Sequence, residues 1–209
     1  MEFLSPAKEA SAEYIVKRSR FIGTASPAFS ESEAEAFVSS IRAKYPDATH
    51  NVYAYSVGSG TPLDRLSDDG EPRGTAGYPV LDVIHKRGLK NVVCVVTRYF
   101  GGTQLGAGGL LRAYGKTANL ALDEAGVMKY AHHMLMKIRL AYDQYGRVQR
   151  ELESRGCVVL DVDYGEAVTI EAYVRNDDTQ LVSERIMDLT SGKAEISVSE
   201  GKPIPFPVQ

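Results

Sequence analysis

The chain has 209 residues, 44% apolar and 24% charged, with a formal net charge of −3. That is the composition of a soluble globular protein with ample core, organised as one large or two small domains. It excludes the strongly basic character of a high-affinity, sequence-blind nucleic-acid binder. No apolar run is long enough to span a membrane, and Met1-Glu2-Phe3-Leu4-Ser5-Pro6 starts acidic and breaks at once, unlike a signal peptide. A cytoplasmic location is therefore expected. Two cysteines and four scattered histidines form no ligand cluster, so no metal or other cofactor is expected. Cys94 and Cys157 fall in predicted strands and read as small buried hydrophobes. Charge divides unevenly: residues 1–129 carry 15 basic and 14 acidic side chains, residues 130–209 carry 9 and 13. A polyanionic partner should meet the first part.

In chain order, residues 13–17 and 20–26 read as two short strands, with Lys17, Arg18 and Arg20 clustered at their junction. Ser30 caps a helix with Glu33 three residues on, and Ala34, Phe37, Val38 and Ile41 form its apolar stripe. Residues 50–57 have a period of two and predict a strand, opened by His50, with Val52, Ala54 and Ser56 on one face. Residues 61–77 show no regular pattern. Asp64, Asp68, Asp69 and Glu71 alternate there with Arg65 and Arg73, among Gly70, Pro72, Gly74 and Gly77. These carboxylates match no calcium-loop spacing, and pairing with arginines is expected instead of a cation. The proline and glycine density predicts a shaped loop. The next helix starts near Gly74 or Thr75, buries Val80, Val83 and Ile84, and ends at Gly88.

Residues 91–126 organise the chain. Asn91 to Thr97 is an apolar, β-branched run of the kind a fully buried strand needs. Arg98, Tyr99 and Phe100 follow, then Gly101-Gly102-Thr103-Gln104-Leu105-Gly106-Ala107-Gly108-Gly109. A helical pattern takes over, with Leu110, Leu111, Tyr114, Ala118, Ala121, Leu122 and Ala125 on one face and Gly126 past its end. Arg112, Lys116 and Asn119, spaced four and three apart, fall opposite. Five glycines in nine residues let the backbone reach positive φ and let another molecule approach. The free N–H groups of a helix start carry roughly half a positive charge, an anion site in outline. The alternative is a tight strand–helix turn in which the glycines serve packing only, nothing is bound and Arg98 is consumed by the Asp68–Glu71 loop. The window from Val83 to Leu122 holds six basic residues and no acidic one, which favours a bound anion.

The second half reads strand (134–140), helix opened by Asp143, strands at 157–164 and 167–175, helix begun by Asp177 and Gln180 with Leu181, Val182, Ile186 and Leu189 inside, and a strand at 194–198. This β-α-β-β-α-β order predicts a ferredoxin-like domain. The tail from 201 to 209 should be irregular. The resulting division is 1–128 and 129–209, in an α+β fold.

The stretch Val95-Val96-Thr97-Arg98-Tyr99-Phe100-Gly101-Gly102…Leu105-Gly106-Ala107-Gly108-Gly109-Leu110 resembles the signature of the YigZ/IMPACT family. Asp68-Asp69-Gly70-Glu71-Pro72…Gly74-Thr75-Ala76-Gly77 resembles its second block, Lys17-Arg18-Ser19-Arg20-Phe21-Ile22 its first, and His50 stands where the pattern has a histidine. The C-terminal half resembles the companion domain of the bacterial branch. Thr103-Gln104 departs from the Ile-Lys frequent in the family, removing one basic side chain from the loop tip.

The resemblance implies an N-terminal domain like the second domain of small-subunit ribosomal protein five, three helices on a four-stranded sheet. It also implies a C-terminal domain similar to one of translation elongation factor G. Eukaryotic members are implicated in translational control by binding partner proteins of a stress-responsive initiation kinase. Three functions stand open. The first is a non-enzymatic, translation-associated regulator that binds RNA or ribosomes through the basic, glycine-rich face. Its residues would be Lys17, Arg18, Arg20, His50, Arg98, Tyr99, Gly101, Gly102, Gly106, Gly108, Gly109, Arg112 and Lys116, with Phe100 a further stacking face. Asp68, Asp69, Glu71, Arg73 and Thr75 would shape the site. The second is a protein-binding regulator using the same face, and the third a nucleotide- or phosphate-binding enzyme. No catalytic set is readable.

Overall fold

The computed structural model describes residues 2–58 and 60–206. They form two compact units, Phe3–Lys129 and Tyr130–Phe206 (the latter with Glu2). The first unit contains β1 (Glu2–Pro6) from Phe3 on, β2 (Ala10–Val16), β3 (Ser19–Pro27), α1 (Glu31–Lys44), β4 (His50–Val57), β5 (Leu63–Ser67), α2 (Gly77–Lys86), β6 (Val92–Tyr99) and α3 (Ala107–Ala125). Strands β2-β3-β6-β4-β5 make a five-stranded antiparallel sheet in that order.

Strand β6 lies at its centre, with helices on both faces, and this is why its sequence is apolar without alternation. Val92, Cys94 and Val96 pack with Phe21, Val52, Val80, Ile84, Tyr114 and Leu122 on the α2/α3 side. Val93 and Val95 pack with Tyr55, Ala34, Val38 and Ile41 on the α1 side. Each fully buried Val or Ile here contributes about 1.5–3 kcal/mol relative to exposure. Burial in this core pushes the Cys94 thiol up to about 12, so it remains protonated, as a small hydrophobe should.

Local sequence explains the element ends. Glu33 N–H donates to Ser30 Oγ at 3.2 Å, and the Glu33 carboxylate reaches back to Phe29 N–H at 2.8 Å, a variant of the expected capping box. Gly23 lets α3 settle on β3, because a Cβ there would stand 2.8 Å from the Thr117 carbonyl oxygen.

Several expectations need correction. The sheet has five strands, since β5 forms inside the segment that shows no pattern; only five residues long, it has too few alternations to register. The opening residues form β1, and Leu4 bridges in parallel to Leu89. Leu111 is 41% exposed. The buried stripe of α3 instead runs through Leu110, Ala113, Tyr114, Thr117 and Ala118, and Leu111 lies about 100° round the helix from Leu110.

The second unit contains β7 (Val127–Leu140) from Tyr130 on, α4 (Tyr142–Ser154), β8 (Val158–Tyr164), β9 (Val168–Arg175), α5 (Thr179–Leu189), β10 (Glu195–Ser199) and β11 (Pro203–Phe206). The order β8-β9-β7-β10 with all pairs antiparallel is the ferredoxin-like arrangement. Its core joins Met136, Ile138 and Ile170 to Val148, Leu152, Val182 and Ile186. Leu181 is 52% exposed, not buried. Cys157 precedes β8, and part of the expected irregular tail forms β11; residues 207–209 lie outside the described residues.

Candidate functional site

The loop between β5 and α2 is built around three carboxylates, each with a different duty. Asp68 caps α2 from a distance: Oδ1 accepts from Ala76 N–H (3.0 Å) and Gly77 N–H (2.9 Å), and Oδ2 from Gly74 N–H (2.7 Å). Ala76, at the cap position, has no side chain that could do this. Asp69, at φ 45°, accepts from Asn51 N–H at 2.6 Å and from Arg42 Nη2 at 2.8 Å. Thr75 Oγ1 donates to the Pro72 carbonyl at 2.6 Å, closing the turn. Of the two arginines expected to hold these carboxylates, Arg98 does so through Glu71, whereas Arg73 is exposed and makes no ion pair among the described residues, and Asp69 pairs with Arg42 of α1 instead.

Glu71 is carried by this loop into the interior. Its Oε1 accepts from Arg98 Nη1 at 2.5 Å and from Tyr114 O–H at 2.8 Å, and His50 Nε2 stands 3.8 Å away. His50 Nδ1 is 2.7 Å from the Asp69 carbonyl oxygen, a hydrogen bond only with the proton on Nδ1. Burial, and then the Glu71 charge, drive the Tyr114 phenol well above its ordinary pKa, so it stays a donor. Arg98 is 5% exposed. Its Nη2 reaches Ser19 Oγ at 3.4 Å, and its guanidinium carbon stands over the rings of Phe21 (5.3 Å) and Phe100 (5.4 Å). Arg98 Nε is buried with no acceptor among the described residues.

The glycines separate into two kinds. A Cβ on Gly101 would sit 2.0 Å from the carbonyl carbon of Arg18, so Gly101 lets the loop pass over the β2–β3 turn, whose Lys17 and Arg18 themselves adopt positive φ. Gly102 and Gly106 need positive φ (80° and 70°) and have open space around them. Gly106 is the N-cap of α3 and offers no side chain. Gly109 and Leu110 N–H groups turn back to the Gly106 carbonyl, whereas those of Ala107 and Gly108 find no acceptor among the described residues.

Two clefts flank the start of α3. One, about 290 Å³, is lined by Glu71, Pro72, Arg98, Phe100, Gln104, Leu105, Gly106, Ala107 and Leu110. The other, about 230 Å³, is lined by Tyr14, Val16, Lys17, Leu105, Gly109, Arg112, Ala113 and Lys116. Leu105 belongs to both. The second cleft gathers three exposed cations, Lys17 from the hairpin turn and Arg112 and Lys116 from successive turns of α3. No carboxylate lines it, and none of the three makes an ion pair among the described residues. Lys116 Nζ stands 4.8 Å above the Tyr14 ring, which orders it without neutralising it.

The structure thus brings Lys17, Gly109, Arg112 and Lys116 together, with Gly108 one turn below Arg112, and leaves Arg18 exposed at the adjoining turn. Arg20 is tied to Glu13 at 2.7 Å. His50 and Arg98 belong to the buried cluster. Tyr99 lies on the other face of β6, its hydroxyl donating to Asp47 at 3.0 Å, because strand side chains alternate. Residues that sequence reasoning left out of the site are Tyr14, Leu105 and Tyr114. Tyr14 shares a strand face with Val16 and leads into Lys17, a signal legible only once the cations on α3 are known to face it.

Residues 17–122 match the Impact N-terminal domain, and residues 138–193 match a domain of unknown function designated DUF1949. The chain is similar to IMPACT family member YvyE of Bacillus subtilis, 41% identical over 188 residues, which cover 90% of this chain and 87% of that one. It is also similar to IMPACT family member YigZ of Escherichia coli, 31% identical over 200 residues, covering 95% and 98%. A crystal structure of a hypothetical protein superposes with a TM-score of 0.68 at 30% identity, covering 96% of this chain and 98% of that one.

Proposed function

We propose, from the premise that this chain belongs to the IMPACT family, that it is a non-enzymatic, translation-associated regulator binding RNA or ribosomes through its first unit. One observation carries the reading: Lys17, Arg112 and Lys116 line a single cleft that has no carboxylate in its wall. Three unpaired cations in one concavity make a site for successive phosphates of a polyanion, and they release counterions when it binds. The Ala107 and Gly108 amides and the positive end of α3 add to the same field. Arg98 takes no part as a ligand, since Glu71 holds its charge internally.

The experiment is a photo-crosslink from inside cells. A photoreactive residue replaces Leu111, which is exposed on α3 beside Arg112. Recovery of RNA, with ribosomal RNA or messenger fragments in the adduct, is the expected result. Recovery of a single protein without RNA would favour a protein-binding regulator that uses the same face.

A further inference from the structure

We infer that the cleft beside Phe100 is a binding site for one unpaired nucleobase of an RNA strand whose phosphates lie along the neighbouring cationic cleft, an inference that rests on the RNA reading above. The two clefts share the Leu105 wall, so a strand leaving the Lys17–Arg112–Lys116 cleft meets the Phe100 cleft next. Three features of the latter suit a base. Its volume, about 290 Å³, is just below the roughly 300–1,000 Å³ of sites for drug-sized ligands, a size for a single planar group. Phe100 stands in its wall with the ring 48% exposed, open to a stacking partner.

The third feature is the support behind that ring. Arg98 lies 5.4 Å from the Phe100 centroid, and Arg98 is itself fixed by Glu71, Ser19 and the Phe21 ring. The Phe100 backbone is held as well, its N–H donating to Thr49 Oγ1 at 3.0 Å. The buried ion pair therefore does not bind RNA; it pre-organises an aromatic platform at the cleft. A ring held in place loses little entropy when a base stacks on it. Ala107, whose N–H has no acceptor among the described residues, and Gln104 line the same cleft and can supply donors to the polar edge or sugar of the nucleotide. Selection for single-stranded over duplex RNA follows, because a base already stacked inside a helix cannot enter.

The test uses a short RNA strand with 2-aminopurine at one position, its fluorescence and affinity read for the full chain, for Phe100→Leu and for Phe100→Tyr. The chain has no tryptophan, so the probe signal is clean. Expected are strong quenching by the wild type, loss of quenching with a roughly five- to 150-fold weaker affinity for Phe100→Leu, corresponding to about 1–3 kcal/mol for one stacked base, and recovery of both in Phe100→Tyr. Duplex RNA should bind all three proteins alike. Salt-dependent binding without quenching, or equal quenching by Phe100→Leu, would overturn the base site while leaving the phosphate cleft standing. Loss in Phe100→Tyr equal to that in Phe100→Leu would also overturn it. Absence of any RNA binding would overturn both readings.

Discussion

Arg98 and Arg112 come from the same stretch of sequence without acidic residues and end in opposite situations. Arg98 is buried, paired with Glu71 and in cation–π contact with two rings; Arg112 is exposed in a cleft without a carboxylate. A window free of acids in sequence is therefore not free of them in space. Glu71, 27 residues earlier, is delivered to Arg98 by a loop that the carboxylates of Asp68 and Asp69 hold in shape. A cation on the inward face of a central strand must have such a partner, because an uncompensated buried charge is too costly. A cation on the outer face of α3 need not. One arginine is therefore structural, and the other is available to a ligand.

The largest effect that would break this comparison is on stability. Arg98→Met leaves Glu71 buried without its counter-charge and should cost about 3–5 kcal/mol in denaturant unfolding. Arg112→Ala should change it by no more than about 0.5 kcal/mol. Similar values for the two variants would abolish the distinction.

Tyr114→Phe sharpens it, removing one donor to the Glu71 charge, which should cost about 1.5–3 kcal/mol at neutral pH. The same variant carries a pH signature. The folded Tyr114 pKa lies above the ordinary value of 10.0, so its contribution is fully present below about pH 10 and is lost as pH rises beyond that. Stability of the wild type should fall above pH 10 by an increment that Tyr114→Phe lacks, read from urea midpoints across that range.

Smaller again is Asp68→Ala, which uncaps α2 and should cost about 0.5–2 kcal/mol by the same measurement. If Asp68→Ala had no effect, the loop would not owe its shape to that carboxylate.

How much of this was legible in the sequence depends on the range of the interaction. The ferredoxin-like order, the α1 cap at Ser30 and Glu33, and the two-sided burial of β6 were readable, because each rests on local pattern or on a run of β-branched residues. Strand β5 was not: Leu63–Ser67 is short, and pairing with β4 decides its state. The cluster of Lys17, Arg112 and Lys116 was readable as a list of cations but not as a cleft, since the hairpin turn and α3 meet only in three dimensions. Arg98 and Tyr99 are adjacent in sequence yet face opposite ways, and the strand period alone separates the first, beside the glycine-rich turn, from the second, beside Asp47.

The most direct measurement is the salt dependence of RNA affinity for the wild type and for the Lys17→Ala, Arg112→Ala, Lys116→Ala variant. Each phosphate contact to a single strand contributes about 0.7 to the log–log slope. The variant should fold with unchanged stability, bind far more weakly at low salt, and have a slope shallower by about 2. Equal slopes for the two proteins at equal stability would contradict it.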